Sequence, residues 1–172
     1  MERKYVFHYT HGICEVTEDV MMTLEGGKEK EYILLCPLFI KGSTIHVPKG
    51  TLSQRTRDII SPKQAKDYLE KLDTLESEWS SNYRIRITQY NEAIAKNDPL
   101  SCLEVLAHLS DSWRNLESKK RKGEIESKLY NKILTLVIDE FSTVLETEKN
   151  EMKTLILDKL KNRQVNRSEN NC

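Results

Sequence analysis

The sequence lacks the features that mark the common enzyme classes. Glycine occurs only six times in 172 residues, which is few for the glycine-rich loops that hold phosphate groups. The chain contains no G-x-x-x-x-G-K-[ST] motif, no G-x-G-x-x-G after a strand, no G-x-S-x-G and no H-E-x-x-H. We therefore expect a protein that is not an enzyme and that uses no cofactor.

An excess of charge of either sign is also lacking. Lys and Arg total 27, as do Asp and Glu, and charged residues make up 31% of the chain against 38% hydrophobic residues. This composition is typical of a well-solvated protein with a modest core. Because bulk basicity is absent, any contact with nucleic acid would depend on local positive patches and on shape.

Long hydrophobic runs are missing as well. No apolar stretch approaches the roughly 20 residues of a membrane-spanning helix, and the opening "MERKYVF" is unlike the apolar region of a signal peptide. The four cysteines are scattered without a C-x-x-C pair. We therefore expect a cytoplasmic protein with free thiols and no membrane partner.

One group of residues invites a zinc interpretation. His8, His11 and Cys14 fall three residues apart. On a strand this spacing places neighbouring ligands on opposite faces, and no second half-site with zinc-ligand spacing follows in the sequence. The pattern predicts no metal site.

The chain does contain two halves with different hydrophobic periods. The first half has β-rich runs separated by turn residues, namely KYVFHY, GICEVTED, EYILLCPLF and STIHVP. The pair Gly26-Gly27 lies between VMMTLE and KEKEYILL and is typical of a hairpin tip. Such brief strands predict a small, strongly bent sheet or barrel.

The second half has the period of helices. Ser61-Pro62 and Asp98-Pro99 each combine a capping residue with proline at the first helical position. Hydrophobic residues then recur at helical spacing, for example Tyr83, Ile87, Tyr90 and Ile94, then Leu103, Leu106 and Leu109, then Ile133, Val137 and Phe141, then Met152, Ile156 and Leu160. The sequence thus predicts an α+β protein with a β domain over residues 1–55, an all-helical domain over 56–163 and a disordered tail over 164–172.

Positive charge is densest in a run of four residues. Lys119, Lys120, Arg121 and Lys122 precede Gly123, so the run is explained either as a solvated helix end before a C-cap or as a phosphate-contacting patch. Arg84 and Arg86 flank Ile85, and at least one of these two side chains should face solvent.

Trp79 also has two interpretations. It precedes a predicted helix that Ser80 or Ser81 would cap, and it would then be a structural residue that packs against the first turn. Alternatively, an exposed Trp beside arginines at a helix start is suited to unstacking bases. The residues alone leave both open.

The order of these segments resembles the CarD/CdnL family of bacterial transcription regulators. The matching stretches are HGICEV, KEYILL, STIHVP, WSSNYR and GEIESKLYNKILTLVIDEFS, and they cover almost the whole chain. The resemblance implies a Tudor-like β domain that binds the β subunit of RNA polymerase, followed by a helical domain that meets promoter DNA. The N-terminal part also resembles the polymerase-interacting domain of transcription-repair coupling factors.

The resemblance implies roles for particular residues. Trp79 opens the family's W-S-x-x-Y-[KR] stretch, with Ser80, Tyr83 and Arg84 in register, and the family's Trp wedges into the minor groove at the upstream edge of the transcription bubble. Arg86 and the run Lys119, Lys120, Arg121 and Lys122 would lie near phosphates. The strand that contains Ile45, His46 and Pro48 would dock on the polymerase.

The sequence departs from the family pattern at some of these positions. Ser81 and Asn82 are commonly basic in relatives, His46 stands where Arg is frequent, and Thr23 aligns with another basic position that contacts polymerase. The longer CarD proteins have an extension that is rich in Asp and Glu and contains basic repeats. This sequence has no such segment, so the short CdnL-like type fits better.

The function implied is stabilisation of the open promoter complex by a monomer bound to RNA polymerase. A rival hypothesis is a protein-binding adaptor that keeps the β-domain docking mode without productive DNA contact. An exposed Trp79 would favour the first hypothesis, and a buried Trp79 the second.

Overall fold

The chain folds into two compact units, Met1–Ile59 and Ile60–Cys172. The structure, a computed structural model, describes residues 4–23, 27–114 and 123–169, and for 164–169 it describes the backbone alone. The architecture is mixed α+β, with an antiparallel sheet followed by a helical region. The α+β class predicted from the sequence is thereby confirmed.

The described part of the first unit forms one sheet of five strands in the order β4-β3-β2-β1-β5. The strands are β1 Lys4–His8, β2 Gly12–Met22, β3 Lys30–Pro37, β4 Ile45–Pro48 and β5 Thr56–Arg57. All neighbours pair antiparallel. A 3-10 turn, Lys49–Thr51, and the single-turn helix α1, Leu52–Arg55, connect β4 to β5.

Short loops between consecutive strands produce this topology. Gly12, with φ of 73°, begins β2 directly after a tight turn from β1, a backbone conformation that glycine adopts without steric cost. Strands β2 and β3 pair in a register that runs from Met22 opposite Lys30 to Cys14 opposite Pro37, as expected for the predicted hairpin. Residue 26 of the glycine pair at its tip lies outside the described residues.

The sheet unit has a small core of its own. Alternating strand residues point inward, as the strand period of two requires, and the buried members are Val6, Cys14, Ile33, Leu35 and Val47. Ile45 and Leu52 pack against this cluster from β4 and α1. The core is modest, as the composition predicts.

The helical unit contains α2 Pro62–Lys71, α3 Tyr83–Ala95, α4 Pro99–Arg114, α5 Glu124–Val144 and α6 Lys149–Glu169. The predicted start of α2 is confirmed: Ser61 and Gln64 form a capping box, in which each side chain accepts from the other residue's backbone N–H. The predicted start of α4 is confirmed as well, because Asp98 Oδ2 accepts from Ser101 N at 2.9 Å.

Apolar stripes at helical spacing meet in one larger core. Its fully buried members include Leu72, Tyr90, Leu103, Leu106, Phe141, Met152 and Ile156. Buried polar contacts fix the arrangement: Ile60 N donates to Glu140 Oε1 at 3.3 Å, and Arg163 on α6 pairs with Asp111 on α4 at 3.2 Å. None of the described helices is long and apolar enough to cross a membrane.

Three boundaries differ from the sequence-based ones. The units divide after Ile59 rather than after residue 55, because Thr56 and Arg57 pair with β1. The run EYILLCPLF does not continue as a strand beyond Pro37. Residues 164–169 continue α6 instead of forming part of a disordered tail, since no glycine or proline interrupts the chain there, and 170–172 lie outside the described residues.

Candidate functional site

Three of the four residues expected to bind polymerase, namely Ile45, His46 and Pro48, lie on an edge strand of the sheet. β4 pairs with β3 on one side and is the last strand of the sheet in the described part of the chain. His46 is exposed, while Ile45 is half-buried against the sheet core and Pro48 is half-buried at the strand end. The outer edge of β4 can therefore accept a further strand through its backbone.

Thr23 is separated from this group in the sheet order. It is exposed and follows the last residue of β2, Met22. Because β3 lies between β2 and β4, the structure does not place Thr23 on the edge strand that contains His46.

An apolar segment next to the edge strand was missed by the sequence reasoning. Leu38, Phe39 and Ile40 are 43%, 42% and 47% exposed, and they lie in the turn between β3 and β4. The apolar run EYILLCPLF predicts a strand that includes Leu38 and Phe39. The signal that could have separated them is Pro37 before the run and Lys41-Gly42 after it, which together favour a turn.

Trp79 is half-buried and packs against the helical core. Its ring is parallel to that of His108 on α4, with an interplanar angle of 3° and centroids 5.9 Å apart, and it meets Tyr90 on α3 at 4.8 Å. The indole Nε1 donates to Ser77 Oγ at 2.5 Å. Trp79 is thus neither the exposed residue of the first hypothesis nor the fully buried residue of the second.

Tyr90 and His108 are the two aromatic residues that pack against the indole ring. Tyr90 is fully buried, and its Oη lies 3.1 Å from His108 Nδ1. Burial raises the pKa of Tyr90 to about 12, opposed by the positive charge of Arg86. The phenol therefore stays protonated and can serve as a hydrogen-bonding group throughout the physiological pH range.

An open groove of about 520 Å³ borders Trp79. Its other walls include Glu78, His108, Asp111 and Arg163. Since Arg163 is 4% exposed and bonded to Asp111 through Nε and Nη2, the groove is polar but its buried charges are paired.

Arg86 forms an ion pair and hydrogen bonds within the helical unit. Its Nη2 lies 3.2 Å from Glu126 Oε1 on α5, and its Nη1 donates to the carbonyl oxygens of Ser80 and Ser81 at 3.0 and 3.2 Å. These contacts hold the segment after Trp79 against α3 and α5. The sequence-based role of Arg86 at DNA phosphates therefore competes with a structural role.

Tyr83 and Arg84 are exposed at the start of α3. The helix is capped by Asn82, whose Oδ1 accepts from Arg84 N at 3.0 Å and Ile85 N at 3.3 Å, so the cap predicted at Ser80 or Ser81 is wrong. Asn accepts hydrogen bonds from the first free N–H groups of a helix as well as Ser does. Because the cap is Asn82, α3 begins later in the chain than predicted, and the segment between Trp79 and the helix is longer.

The basic run Lys119, Lys120, Arg121 and Lys122 lies outside the described residues. The residue that follows it, Gly123, lies beside the start of α3: a Cβ on Gly123 would be 3.5 Å from Tyr83 Oη and 3.2 Å from a carboxylate oxygen of Glu126. Tyr83 thus lies close to Gly123, the first described residue after the basic run.

The three residues with zinc-like spacing do not share one strand. His8 ends β1 and His11 lies in the following turn, which brings their rings to 4.9 Å, while Cys14 lies in β2. The argument from opposite strand faces is therefore wrong. Burial, reinforced by the nearby Cys36, raises the pKa of the Cys14 thiol to about 11, which opposes the thiolate form that zinc requires.

Comparisons with protein-family models and with curated proteins find no match for this chain.

Proposed function

We propose that this protein is a transcription regulator of the CarD/CdnL type, which binds the β subunit of RNA polymerase and stabilises the open promoter complex. In this proposal the sheet unit is a Tudor-like polymerase-binding domain. The helical unit contacts promoter DNA at the upstream edge of the bubble. The protein acts as a cytoplasmic monomer.

The observation that carries the proposal is the position of Ile45, His46 and Pro48 on the edge strand β4. Backbone pairing with an added strand needs an edge with accessible N–H and C=O groups. Exposed apolar side chains from the turn before β4, at Leu38 and Ile40, would add buried area to such a contact.

The DNA contact is supported by residues at the start of α3. Tyr83 and Arg84 are exposed there. Trp79 precedes them in the chain by four and five residues, and its remaining surface faces a groove that Glu78, His108 and Asp111 also line. We assign the phosphate contact to Arg84 rather than to Arg86, because the Arg86 guanidinium is already bonded to Glu126 and to two carbonyl groups.

Polymerase binding is tested with full-length protein and purified RNA polymerase. His46→Arg, which introduces the residue frequent at this position in the CarD/CdnL family, should bind more tightly, and His46→Glu more weakly. Gln54→Glu, an exposed change on α1, is the matched control because it also replaces a neutral side chain with a negative one. If His46→Glu and Gln54→Glu weaken binding equally, a general charge effect replaces the assigned contact.

The DNA contact is tested by the lifetime of promoter complexes. Base stacking on an aromatic ring contributes about 1–3 kcal/mol, so Trp79→Ala should shorten the open-complex lifetime by roughly five- to a hundred-fold. Binding to polymerase should not change. Competitor-challenged decay of the open complex measures this effect, with thermal unfolding as the check that the variant is folded.

The adaptor hypothesis remains the second candidate. It is favoured by the packing of Trp79 on Tyr90 and His108 and by the engagement of Arg86 with Glu126, since both residues then have structural roles. A folded Trp79→Ala variant that binds polymerase and leaves the open-complex lifetime unchanged would decide for the adaptor.

A further inference from the structure

Two other rings pack against the Trp79 indole, whose Nε1 also donates to Ser77 Oγ. His108 lies parallel to it at a centroid distance of 5.9 Å, within the range of offset-stacked aromatic pairs. Tyr90 meets the indole at 4.8 Å and 60°. The parallel ring of His108 therefore restricts tilting of the indole out of its plane, and the inclined ring of Tyr90 restricts its rotation within that plane.

His108 is itself held at both ring nitrogens. Nδ1 lies 3.1 Å from Tyr90 Oη, and Nε2 lies 3.2 Å from Ser112 Oγ, one turn further along α4. Each partner is a hydroxyl group, which can donate or accept. Both neutral tautomers and the imidazolium ion can therefore form a hydrogen bond at each ring nitrogen.

Trp79 needs such support because it lies in the irregular segment between α2 and α3. Its backbone is outside regular secondary structure, and the nearest fixed points are the bond from Ser80 N to Gln89 Oε1 and the contacts of Arg86. A side chain that is already ordered loses less conformational entropy when it binds a partner.

We propose that His108 is a positioning residue for Trp79: it fixes the plane in which the indole meets DNA before the promoter complex forms. This inference rests on the proposed function. His108 acts through Trp79 and is not assigned a DNA contact of its own.

The first test is spectroscopic and requires no DNA. The chain has two tryptophans, so Trp113→Phe leaves Trp79 as the only one. A stacked imidazolium quenches indole emission, and we expect the emission of this variant to fall as the pH is lowered through the range where histidine titrates. Adding His108→Phe or His108→Gln should abolish the change, because neither side chain can become an imidazolium.

Other charged groups near the His108–Tyr90 pair need a control. Among the described residues they include Arg86 on α3, Asp111 on α4, Glu126 on α5, Arg163 on α6 and Glu78 in the segment before α3. Glu78→Gln in the Trp113→Phe background should keep the emission change. Loss of the change in Glu78→Gln, or its persistence in His108→Gln, overturns the assignment to His108.

The second test measures the order of the ring. Time-resolved fluorescence anisotropy of Trp79 should show a larger amplitude of fast local motion in His108→Ala, and His108→Phe should restore most of the order because it still presents a ring. Equal anisotropy decays for the protein that retains His108 and for the His108→Ala variant would overturn the proposal. If thermal unfolding shows that the His108→Ala variant is not folded, the same comparison is made with His108→Gln.

The third test links the position to function. His108→Ala should shorten the open-complex lifetime roughly two- to ten-fold, the range expected for ordering one side chain on binding. In a Trp79→Ala background the same substitution should have no further effect. A similar shortening in both backgrounds would overturn the positioning role. If Trp79→Ala alone changes nothing, the proposed DNA contact fails, and the two fluorescence tests still decide whether His108 holds the indole.

Discussion

Arg86 connects three parts of the helical unit. Its guanidinium reaches Glu126 on α5 and the carbonyl groups of Ser80 and Ser81, and the side chains of Arg86 and Glu126 are only 19% and 12% exposed. Removing one partner of a mostly buried pair leaves the other charge without its counter-ion, which costs more than the pair itself contributes. Arg84, on the same helix, is exposed and serves as a natural comparison.

We expect Arg86→Ala to lower the free energy of unfolding by about 3 kcal/mol, because the Glu126 carboxylate stays buried without its cation. Arg84→Ala should change it by less than about 0.5 kcal/mol, as is usual for an exposed residue. Urea unfolding of both variants measures the difference. Equal losses of stability in the two variants would show that the Arg86–Glu126 pair does not stabilise the helical unit.

Tyr90 predicts a loss of stability at alkaline pH. Its pKa is raised by burial from 10.0 to about 12, so between these values the unfolded chain has released the proton and the folded chain has not. The stabilising contribution is complete below pH 10 and is lost as the pH rises towards 12, at about 1.4 kcal/mol per pH unit for one proton.

The check is a pair of urea-unfolding series from pH 8 to pH 11.5. Wild-type protein should lose stability more steeply above pH 10 than Tyr90→Phe. The variant starts from a lower stability because His108 loses its hydroxyl partner. Parallel curves above pH 10 would contradict the assignment of this proton to Tyr90.

At the scale of elements, local signals predicted where helices begin and tertiary contacts decided the rest. Ser61 and Asp98 were recognised as caps because cap and proline are adjacent in the sequence. The α3 cap was misassigned because Ser80, Ser81 and Asn82 are all capping residues, and only the fold selects among them. The stacking of Trp79 on His108 had no local signal, since α4 supplies the second ring.

The corrected cap gives a prediction for α3. Asn82→Ala should destabilise the helical unit by about 1 kcal/mol, because the N–H groups of Arg84 and Ile85 lose their acceptor. Ser81→Ala should be nearly neutral. Thermal unfolding of both variants distinguishes them, and a larger effect at Ser81 would restore the cap that the sequence suggested.

At the scale of the whole molecule, the two units have separate cores and the chain has equal numbers of acidic and basic residues. Affinity for DNA rises with the number of phosphates that Lys and Arg neutralise. A balanced chain with one assigned phosphate contact, Arg84, therefore gains little from this effect. Attachment to polymerase would supply the missing affinity by raising the local concentration of the helical unit at the promoter.

Free duplex DNA should accordingly bind with a Kd of order 10⁻⁴ M or weaker at physiological salt. Fluorescence anisotropy of a labelled promoter fragment, titrated with protein alone and then with protein and polymerase, measures the contrast. Tight, sequence-specific binding by the protein alone would replace the tethered mode with that of a conventional DNA-binding regulator.

The pairing of β5 with β1 determines the order in which the sheet assembles. The other strand pairs join neighbours in the sequence, whereas Phe7 pairs with Arg57 and His8 with Thr56. Closing so long a loop delays a contact during folding, so β1 to β4 should form first and β5 should be added last. The two-residue strand is held by few bonds and by Arg57 over the Phe7 ring at 4.0 Å. Its amide hydrogens should therefore exchange with solvent before those of the central strands, and the chain leaves the sheet at its least protected point.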